Sequence, residues 1–284
     1  MIPAAFDYYR PASIDAVIAL LEEHGDDARV IAGGHSLIPM MKLRMAEVPH
    51  LIDLQDIESL RGIRIDDSGI ALGAMVTQHE IIEDENLGAI APILKEAALQ
   101  IADPQVRYMG TVGGNVANGD PGNDMPGLMQ CLDAQLTLIG PDGTRVVAAR
   151  DYYEAAYMTD REDDEILTHV SFKAPTGGYS YEKQKRKIGD YATAAAAVMI
   201  EKVNGKVVGA SIAMTNLSDV PVYSEGASDA LVGTSCDAAA IKDAVDAMLG
   251  DIDPTEDNRG PVAFKRHLAG IILTRAINRA WDRA

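Results

Sequence analysis

The sequence Ala32-Gly33-Gly34-His35-Ser36 directly follows a short apolar strand predicted over residues 29–31, and a helix is predicted to start near Leu37. Adjacent glycines tolerate positive φ values, which lets the backbone N–H groups of such a loop point together at an anion. A helix that starts after the loop adds its dipole, and the His35 and Ser36 side chains add donors. One Gly-Gly pair alone is equally well interpreted as a tight turn between a strand and a helix.

The same chemistry returns further along the chain in Thr111-Val112-Gly113-Gly114-Asn115, which offers a hydroxyl, an amide and bare backbone. Two such loops are much more informative than one, because together they can hold the two phosphates of a dinucleotide from opposite sides. Neither loop has the GxGxxG spacing of a Rossmann domain, and no Gly-Lys-Ser/Thr follows as in a Walker loop. The pair therefore indicates a dinucleotide site on a different fold.

Length and composition limit the classes of protein to which the chain can belong. It has 284 residues, 47% of them hydrophobic, which is enough for two domains with a sizeable core. Its formal net charge of -18 argues against nucleic acid as a partner, because phosphate contacts need a basic face. The two cysteines cannot alone provide the thiolates of a conventional iron–sulfur cluster, and the histidines show no metal-ligand spacing. No apolar run approaches membrane-spanning length, and no signal peptide is recognisable.

Residues 1–55 have the pattern of a compact βαβ-like unit. Ser13 is the predicted N-cap of a helix that ends near Gly25, and the apolar positions of this helix fall on one face. Residues 50–54 form a second short strand candidate after the one that enters the first glycine loop. The N-terminal unit therefore presents that loop at the end of a strand.

Residues 56–176 read as a second part of the same domain, with strands joined by turns. Turn chemistry predicts a strand pair over residues 63–70 and a hairpin formed by residues 135–139 and 145–148. A further strand is predicted over residues 165–172. Two helices are expected over residues 77–82 and 92–101.

A break at Pro175-Thr176-Gly177-Gly178 marks the predicted boundary between residues 1–176 and a C-terminal domain, residues 177–284. Asn204-Gly205 is a strong hairpin signal between two of the three strands expected there. These strands are predicted over residues 179–183, 194–202 and 206–215, and two helices over residues 238–249 and 261–283. The last helix has Phe264, Leu268, Ile271, Leu273 and Trp281 among its apolar positions.

Three longer blocks show a resemblance to a known family. They are AGGHSLIPMMKLR at residues 32–44, ADPQVRYMGTVGGNVANGDPGNDMP at 102–126 and YEKQKRKIGDYATAAAAV at 181–198. With the rest of the chain, they resemble the medium, FAD-binding subunits of aerobic molybdenum-containing carbon monoxide dehydrogenases, within the xanthine oxidase family of molybdenum hydroxylases. The resemblance implies an α/β (α+β) fold with a two-part FAD-binding domain of the PCMH/VAO type. A smaller C-terminal domain with helices and a three-stranded antiparallel sheet is expected to follow it.

The resemblance also implies which residues bind FAD. The two glycine loops match the segments that hold its diphosphate, Asp124 matches an acidic residue near the ribityl and ribose groups, and Leu167 matches a backbone contact to the flavin. Lys183 matches a lysine beside the pyrimidine edge of the ring, where a cation stabilises the negative charge of reduced flavin. Tyr191 matches an aromatic residue that covers the ring. The full implied set is Ala32, Gly33, Gly34, His35, Ser36, Leu37, Thr111, Gly113, Gly114, Asn115, Asp124, Leu167, Lys183 and Tyr191.

Several of these assignments have a plainer alternative in the residues themselves. Asp124 is also interpreted as a carboxylate at a helix N-terminus, and Leu167 as a leucine of the core. Lys183 is alternatively one member of a solvated basic strip with Lys185, Arg186 and Lys187. Residues 188–190, between Lys183 and Tyr191, have the composition of a mobile gate.

The function that the resemblance implies is electron transfer without a general acid or base on this chain. In the family, a large molybdenum- and copper-containing subunit oxidises CO with water to CO2, and a small subunit relays electrons through [2Fe–2S] clusters. FAD on the medium subunit passes them to a quinone-type acceptor. In this branch the FAD is held non-covalently, although His35 lies where other flavoproteins attach flavin covalently. The implied assembly is an (αβγ)2 heterohexamer in the cytoplasm, peripheral at the inner membrane.

Three alternatives stay open at this point. The chain could serve a related molybdenum hydroxylase that acts on an N-heterocycle, since the substrate is decided on another subunit. It could be a stand-alone flavoprotein oxidase. The chain is short for that role, because such an oxidase also needs a domain that binds the substrate. It could also be a non-catalytic flavin-binding or scaffold protein.

Overall fold

The computed structural model describes residues 2–284, and the chain begins with a small parallel sheet. Its elements are β1 (Asp7–Tyr9), α1 (Ile14–His24), β2 (Ala28–Ile31), α2 (Leu37–Lys42) and β3 (His50–Asp53), and the strands lie in the order β1-β3-β2. Ser13 caps α1 by accepting a hydrogen bond from the Ala16 N–H at 3.3 Å. Val17, Leu21 and Ile52 share one core, so the predicted βαβ-like unit is confirmed and gains β1 as an additional strand.

The second part is built on a five-stranded antiparallel sheet in the order β4-β5-β10-β6-β7. Strands β8 and β9 pair only with each other. The predicted strand pair, hairpin and later strand are all present. In chain order the strands are β4 (Ile63–Asp66), β5 (Gly69–Gly73), β6 (Gln135–Gly140), β7 (Gly143–Ala148), β8 (Tyr153–Ala155), β9 (Met158–Thr159) and β10 (Ile166–Phe172).

Six short helices lie between β5 and β6, where the sequence predicted two and offered a third only as the alternative interpretation of Asp124. They are α3 (Gln78–Glu83), α4 (Glu85–Ile90), α5 (Pro92–Ala98), α6 (Pro104–Met109), α7 (Val112–Ala117) and α8 (Asp124–Cys131). Helix α7 contains the two glycines of the second loop, and glycine has poor helix propensity. The Thr111 side chain caps this helix, and Val112 and Val116 are fully buried, so capping and packing override propensity.

The C-terminal part contains a four-stranded antiparallel sheet in the order β11-β12-β13-β14, one strand more than predicted. The addition is the two-residue β14, which is too short to show a periodic pattern. Asn204 and Gly205 have φ values of 51° and 72°, as the predicted tight hairpin requires. The elements are β11 (Gly178–Gln184), β12 (Ala194–Val203), β13 (Lys206–Thr215), β14 (Val222–Tyr223), α9 (Glu225–Leu231), α10 (Ala238–Asp251) and α11 (Val262–Arg283).

Strand β12 is buried on both faces, which explains its run of alanines. Ala194, Ala196 and Val198 pack into the core formed with α10 and α11. Ala195 and Ala197 point the other way, into the core shared with α5 and α8. Small side chains allow helices to approach both faces of the strand closely. This packing brings β11 against α5 and the start of α8.

The apolar face of α11 differs from the predicted one at two positions. Phe264 and Ile271 are 47% and 36% exposed. The buried side of the helix is formed by Leu273 together with Ile272, Ile277 and three alanines, because small residues allow the close approach to the sheet. No helix in residues 2–284, including the 22-residue α11, is long and apolar enough to cross a lipid bilayer.

Candidate functional site

The two glycine loops border one elongated cavity with a volume of about 480 Å3. It extends from the end of β2, past both loops and the N-terminus of α8, to Lys183 and Tyr191. Every residue that the family resemblance assigned to FAD lines this cavity, although those residues come from all three parts of the chain. The structure therefore brings the whole implied set together.

The first glycine loop leaves its backbone donors free. Among residues 2–284, no acceptor receives a hydrogen bond from the N–H groups of Gly33, Gly34, His35 or Ser36. Gly34 has a φ of 73°, which turns the chain from β2 into α2. Ser36 occupies the N-cap position of α2 but makes no side-chain capping bond. This loop thus offers a group of unpaired donors at the cavity wall.

The second loop uses its backbone donors within the protein. The N–H groups of Val112 and Gly113 donate to the carbonyls of Val76 and Ala74 at 2.8 and 2.9 Å. The Gly114 N–H donates to Thr111 Oγ1 at 3.0 Å, and the Asn115 N–H to the Thr111 carbonyl. The expectation that this loop presents bare backbone N–H groups to a ligand is therefore wrong for these four residues. Their donors stabilise the start of α7 and its attachment to β5.

The glycines of this region serve close packing between segments. A Cβ on Gly113 would lie 2.7 Å from the Ala74 Cα, and a Cβ on Gly33 would overlap the Met109 carbonyl group. A Cβ on Gly114 would lie 3.5 Å from the Ala32 Cβ. The two loops consequently lie side by side, with almost no space between them.

Asn115 links the second loop to the start of α8. Its side-chain Oδ1 accepts a hydrogen bond from the Met125 N–H at 3.1 Å, and its carbonyl accepts one from the Asn123 side chain at 2.9 Å. The Asn115 side chain therefore positions α8 through its Oδ1 atom. The amide nitrogen of Asn115 is left to donate to a ligand. This arrangement places Asp124 at the first position of α8, as the helix-terminus interpretation expected.

Asp124 also belongs to a buried ionic network with two residues of β11. Lys183 Nζ donates to Asp124 Oδ2 at 2.7 Å, and Tyr181 Oη donates to Asp124 Oδ1 at 2.6 Å. The Lys183 side chain is 1% exposed, so the solvated-strip interpretation is wrong for this lysine and correct for the exposed Arg186 and Lys187. Burial and the neighbouring Asp124 carboxylate raise the pKa of Tyr181 well above its ordinary value, so Tyr181 remains a donor.

Tyr191 lines the same end of the cavity as Lys183, on the segment of the C-terminal part that joins β11 to β12. Its side chain is 42% exposed, and burial together with the Asp120 carboxylate raises its pKa. Asp190 accepts from Arg186 at 2.9 Å and lies 3.8 Å from Arg259. The Arg259 guanidinium lies 5.8 Å from the centre of the Tyr191 ring. Ion pairs thus hold residues 188–190 in place, the segment whose composition indicated a mobile gate.

Leu167 is both a core residue and a cavity residue. It is 5% exposed in β10 and lines the cavity next to an irregularity between Leu167 and His169. The preceding Glu165 forms a two-pronged ion pair with Arg145, both bonds measuring 2.7 Å. Hydrogen bonds of this kind fix the end of the strand where the cavity begins.

Gln78, Asn123, Arg161 and Asp163 also line the cavity, although the sequence did not single them out. Gln78 is 1% exposed, and neither polar atom of its side chain has a hydrogen-bond partner in residues 2–284. The sequence contained a helix-start signal at Thr77 and Glu80, whose side chains form a capping box, but no signal for the direction of Gln78. Its role as a cavity residue follows only from the packing.

The residues around the cavity fit FAD. The free N–H groups of the first loop suit a diphosphate, and the buried Lys183 provides a cation in the wall of the same cavity for the flavin. An orphaned buried amide at Gln78 indicates that a polar ligand completes the wall. Such a cavity defines a chain that binds a flavin dinucleotide.

Comparison with known proteins supports this class and narrows it. Residues 4–174 match the family model described as the FAD binding domain in molybdopterin dehydrogenase, and residues 179–280 match the CO dehydrogenase flavoprotein C-terminal domain. The carbon monoxide dehydrogenase medium chain of Afipia carboxidovorans is 54% identical, with 100% of this chain and 99% of the relative covered. That of Hydrogenophaga pseudoflava is 43% identical, with the same coverage.

A solved structure shows the same likeness in three dimensions. The reconstituted CO dehydrogenase from Oligotropha carboxidovorans contains a chain with a TM-score of 0.99 and 53% identity, and both chains are covered completely. This chain belongs to the carbon monoxide dehydrogenase medium-chain family, the FAD-binding subunits of molybdopterin dehydrogenases. The predictions of this family, of the fold class, of an oxidoreductase subunit and of FAD as its cofactor are confirmed.

Proposed function

We propose that this chain holds FAD non-covalently as the electron-transfer subunit of a carbon monoxide dehydrogenase, and that a quinone takes up the electrons. The observation that carries the proposal is the single cavity with unpaired backbone donors at one end and the buried Lys183 at the other. Bound FAD accepts two electrons and releases them to an acceptor. The residues of this chain bind and orient the cofactor and set the charge around it.

The first loop holds the diphosphate in this proposal. The N–H groups of Gly33 to Ser36 have no competing acceptor in the part of the chain that the structure describes, so they are free to donate to phosphate oxygens. The side chains of His35 and Ser36 border the same part of the cavity. Thr111, whose hydroxyl oxygen already accepts from Gly114, still has its own O–H to donate.

Lys183 supplies positive charge at the flavin end. Its ammonium group donates to Asp124 and to the Gln100 carbonyl, at 2.7 and 3.3 Å, which fixes its position without exposure to solvent. A fixed cation in a buried site stabilises negative charge on a neighbouring ring more strongly than a solvated one does. Asp124 uses one carboxylate oxygen for Lys183 and the other for Tyr181. Any contact with the ribityl or ribose hydroxyls therefore uses the remaining lone pairs.

Leu167 and Tyr191 complete the wall around the cofactor. The backbone of Leu167 lies at the cavity beside an irregular point of β10, where ladder hydrogen bonds are interrupted. Tyr191 covers the flavin ring, and its 42% exposure leaves this end of the cavity accessible to an acceptor. The proposal divides the chain into an FAD-binding domain, residues 1–176, and a C-terminal domain, residues 177–284.

The proposed partners are a large molybdenum-binding subunit and a small [2Fe–2S] subunit in an (αβγ)2 heterohexamer. Support comes from the two medium chains of 54% and 43% identity, each named as part of a carbon monoxide dehydrogenase. In this proposal the complex works in the cytoplasm and meets its quinone at the cytoplasmic face of the inner membrane. The substrate of the whole enzyme is CO, and this chain makes no contact with it.

The test uses the native complex purified through a tag on this chain. We expect acid precipitation to release all of its FAD, and CO to drive quinone reduction by the holoenzyme. A fully metallated complex that oxidises N-heterocycles but not CO would overturn the choice of substrate. Flavin that stays with the acid pellet would contradict non-covalent binding, and CO-dependent dye reduction without quinone reduction would contradict the choice of acceptor.

A further inference from the structure

The Gln78 side chain is buried without a partner at the wall of the FAD cavity. Gln78 is the first residue of α3 and is 1% exposed, and both its Nε2 and its Oε1 lack a hydrogen-bond partner. Of the side chains in residues 2–284 that have unpartnered buried polar atoms, it alone lines this cavity. It is also the one side chain among them in which two polar atoms are unpartnered.

An amide in this state is energetically unfavourable. Burial of a polar group without a hydrogen bond costs free energy, and folded proteins pair nearly all such groups with protein, water or ligand. The described residues packed around Gln78 offer it no hydrogen-bond partner. A partner for the amide must therefore come from the cavity that it borders.

The location of Gln78 identifies the part of FAD that lies nearest. Its backbone N–H donates to the Gly110 carbonyl at 2.9 Å, directly before the second glycine loop. Gly33 of the first loop packs against the backbone of Met109, one residue earlier. The start of α3 thus lies where the two loops meet, which is the diphosphate end of the cavity rather than the Lys183 end.

We propose that Gln78 is a binding residue for FAD and that its Nε2 donates to an oxygen of the diphosphate. The second loop cannot supply this donor from Val112 to Asn115, because those four N–H groups already donate within the protein. Gln78 provides it instead and leaves Oε1 for a hydroxyl donor of the cofactor. The inference rests on the proposed function, since it requires FAD in this cavity.

The experiment adds FAD to the deflavinated complex and follows the fluorescence of the added flavin to obtain the FAD dissociation constant. Gln78→Met removes both polar atoms but keeps an unbranched side chain of similar length. We expect the dissociation constant to rise about tenfold, as for the loss of a hydrogen bond to a charged group. Gln78→Glu keeps the shape but places a carboxylate beside the phosphates, so its effect should be larger.

The matched control is Gln130→Met. Gln130 is a buried glutamine, 4% exposed, with an unpartnered Oε1, but it lies outside the cavity. We expect this variant to leave the dissociation constant unchanged. The midpoint temperature for unfolding of the FAD-free complex should not fall in the Gln78→Met variant. The substitution removes an unpaired amide and breaks no hydrogen bond within residues 2–284.

The outcomes separate this inference from the proposed function. Wild-type affinity in Gln78→Met, or equal weakening in Gln130→Met, would show that Gln78 is satisfied by water or only packs, and would overturn the inference while FAD binding stands. Tighter binding in Gln78→Glu would contradict a phosphate partner. A wild-type complex that binds no FAD would overturn both.

Discussion

The two glycine loops look alike in sequence and act differently in the structure. Within residues 2–284 the N–H groups of Gly33 to Ser36 have no acceptor, whereas the loop from Thr111 to Asn115 uses nearly all of its own to hold α7 together and to attach it to the residues after β5. Gly34 of the first loop has a positive φ, and Gly113 of the second has no room for a side chain. Gly34 shapes the backbone of the first loop for a ligand, whereas Gly113 of the second loop, like Gly33 of the first, lets segments of the protein pack closely.

This difference shows why a loop motif alone does not identify a binding surface. Consecutive glycines permit both an open turn with convergent donors and a close contact between segments. The neighbouring residues decide between these outcomes. In the first loop the cap position, Ser36, is the last residue, so α2 takes up none of the loop's N–H groups. In the second loop the cap, Thr111, is the first residue and accepts from the Gly114 N–H.

The largest expected effect is that of an alanine in the second loop. In Gly113→Ala the new Cβ would meet the Ala74 backbone at 2.7 Å, and backbone cannot move aside as a side chain can. We expect the free energy of unfolding to fall by more than about 3 kcal/mol, because the clash with backbone exceeds what overpacking typically costs. Urea unfolding of the FAD-free chain measures this loss.

A comparison within the same series sharpens the contrast between the loops. Gly34→Ala meets only the side chains of Ile31 and Ile38, at 3.1 Å, and a positive φ, which should cost about 1–2 kcal/mol. It should keep the fold and weaken FAD binding. Gly250→Ala in α10 has nothing within 4 Å and serves as the control with no loss. Equal unfolding losses for Gly113→Ala and Gly34→Ala would contradict the division of roles.

The next largest effect concerns the charged end of the cavity. Lys183→Met leaves the buried Asp124 carboxylate with Tyr181 as its remaining side-chain donor, so we expect a loss of about 3 kcal/mol in the free energy of unfolding. Flavin reduction should also require a more negative potential, because the cation is gone. Urea unfolding and a redox titration of the complex measure the two effects.

Two further variants test whether the Lys183–Asp124 ion pair, and not the Lys183 side chain alone, is responsible for the loss of stability. The double variant Lys183→Met with Asp124→Asn should recover part of the lost stability, because the uncompensated charge is removed as well. Lys187→Met, at an exposed position of the same segment, should change neither quantity measurably. A Lys183→Met chain as stable as Lys187→Met would show that the ion pair is not needed.

The smallest expected effect is pH-dependent and lies beside Leu167. Hydrogen bonds from the Arg145 guanidinium hold the pKa of Glu165 below its ordinary value of 4.5. A carboxyl with a depressed pKa contributes stability that is present above pH 4.5 and is lost as the pH falls through the lowered pKa. Glu165→Gln should therefore cost about 1 kcal/mol at neutral pH, because Arg145 is partly exposed, and progressively less in acid.

Unfolding curves of wild type and Glu165→Gln measured at falling pH check whether the stability difference shrinks in acid. The two stabilities should converge as the pH falls below 4.5. Glu162→Gln, at an exposed neighbouring position, should follow the wild-type curve throughout. Curves that diverge in acid would contradict the ion pair as the source of the stability.

Much of the fold could be predicted from the sequence because local signals were strong. Ser13 marked the start of α1, and Asn204-Gly205 marked the hairpin between β12 and β13. Helices α4, α6 and α7 escaped prediction because each has six residues and depends on a side-chain cap rather than on periodicity. Strand β14, with two residues, carried no pattern at all.

The candidate site was predictable as a set of residues but not as a set of interactions. The resemblance placed Asp124 and Lys183 in one site, yet no local pattern joins residues 59 positions apart. Tyr181 and Gln78 were missed because their importance depends on which way their side chains point after the sheet and helices pack. The occupied N–H groups of the second loop were missed for the same reason.

The most direct test of the account is anaerobic mixing of the intact complex with CO while the visible absorbance of oxidised flavin is followed. We expect the flavin band to be bleached in wild type. In a complex assembled with the Gly34→Ala chain and freed of FAD, CO should still bleach the iron–sulfur absorbance, while quinone reduction is lost. Iron–sulfur bleaching and quinone reduction with the flavin band unchanged in wild type would contradict the claim that electrons leave the enzyme through the FAD of this chain.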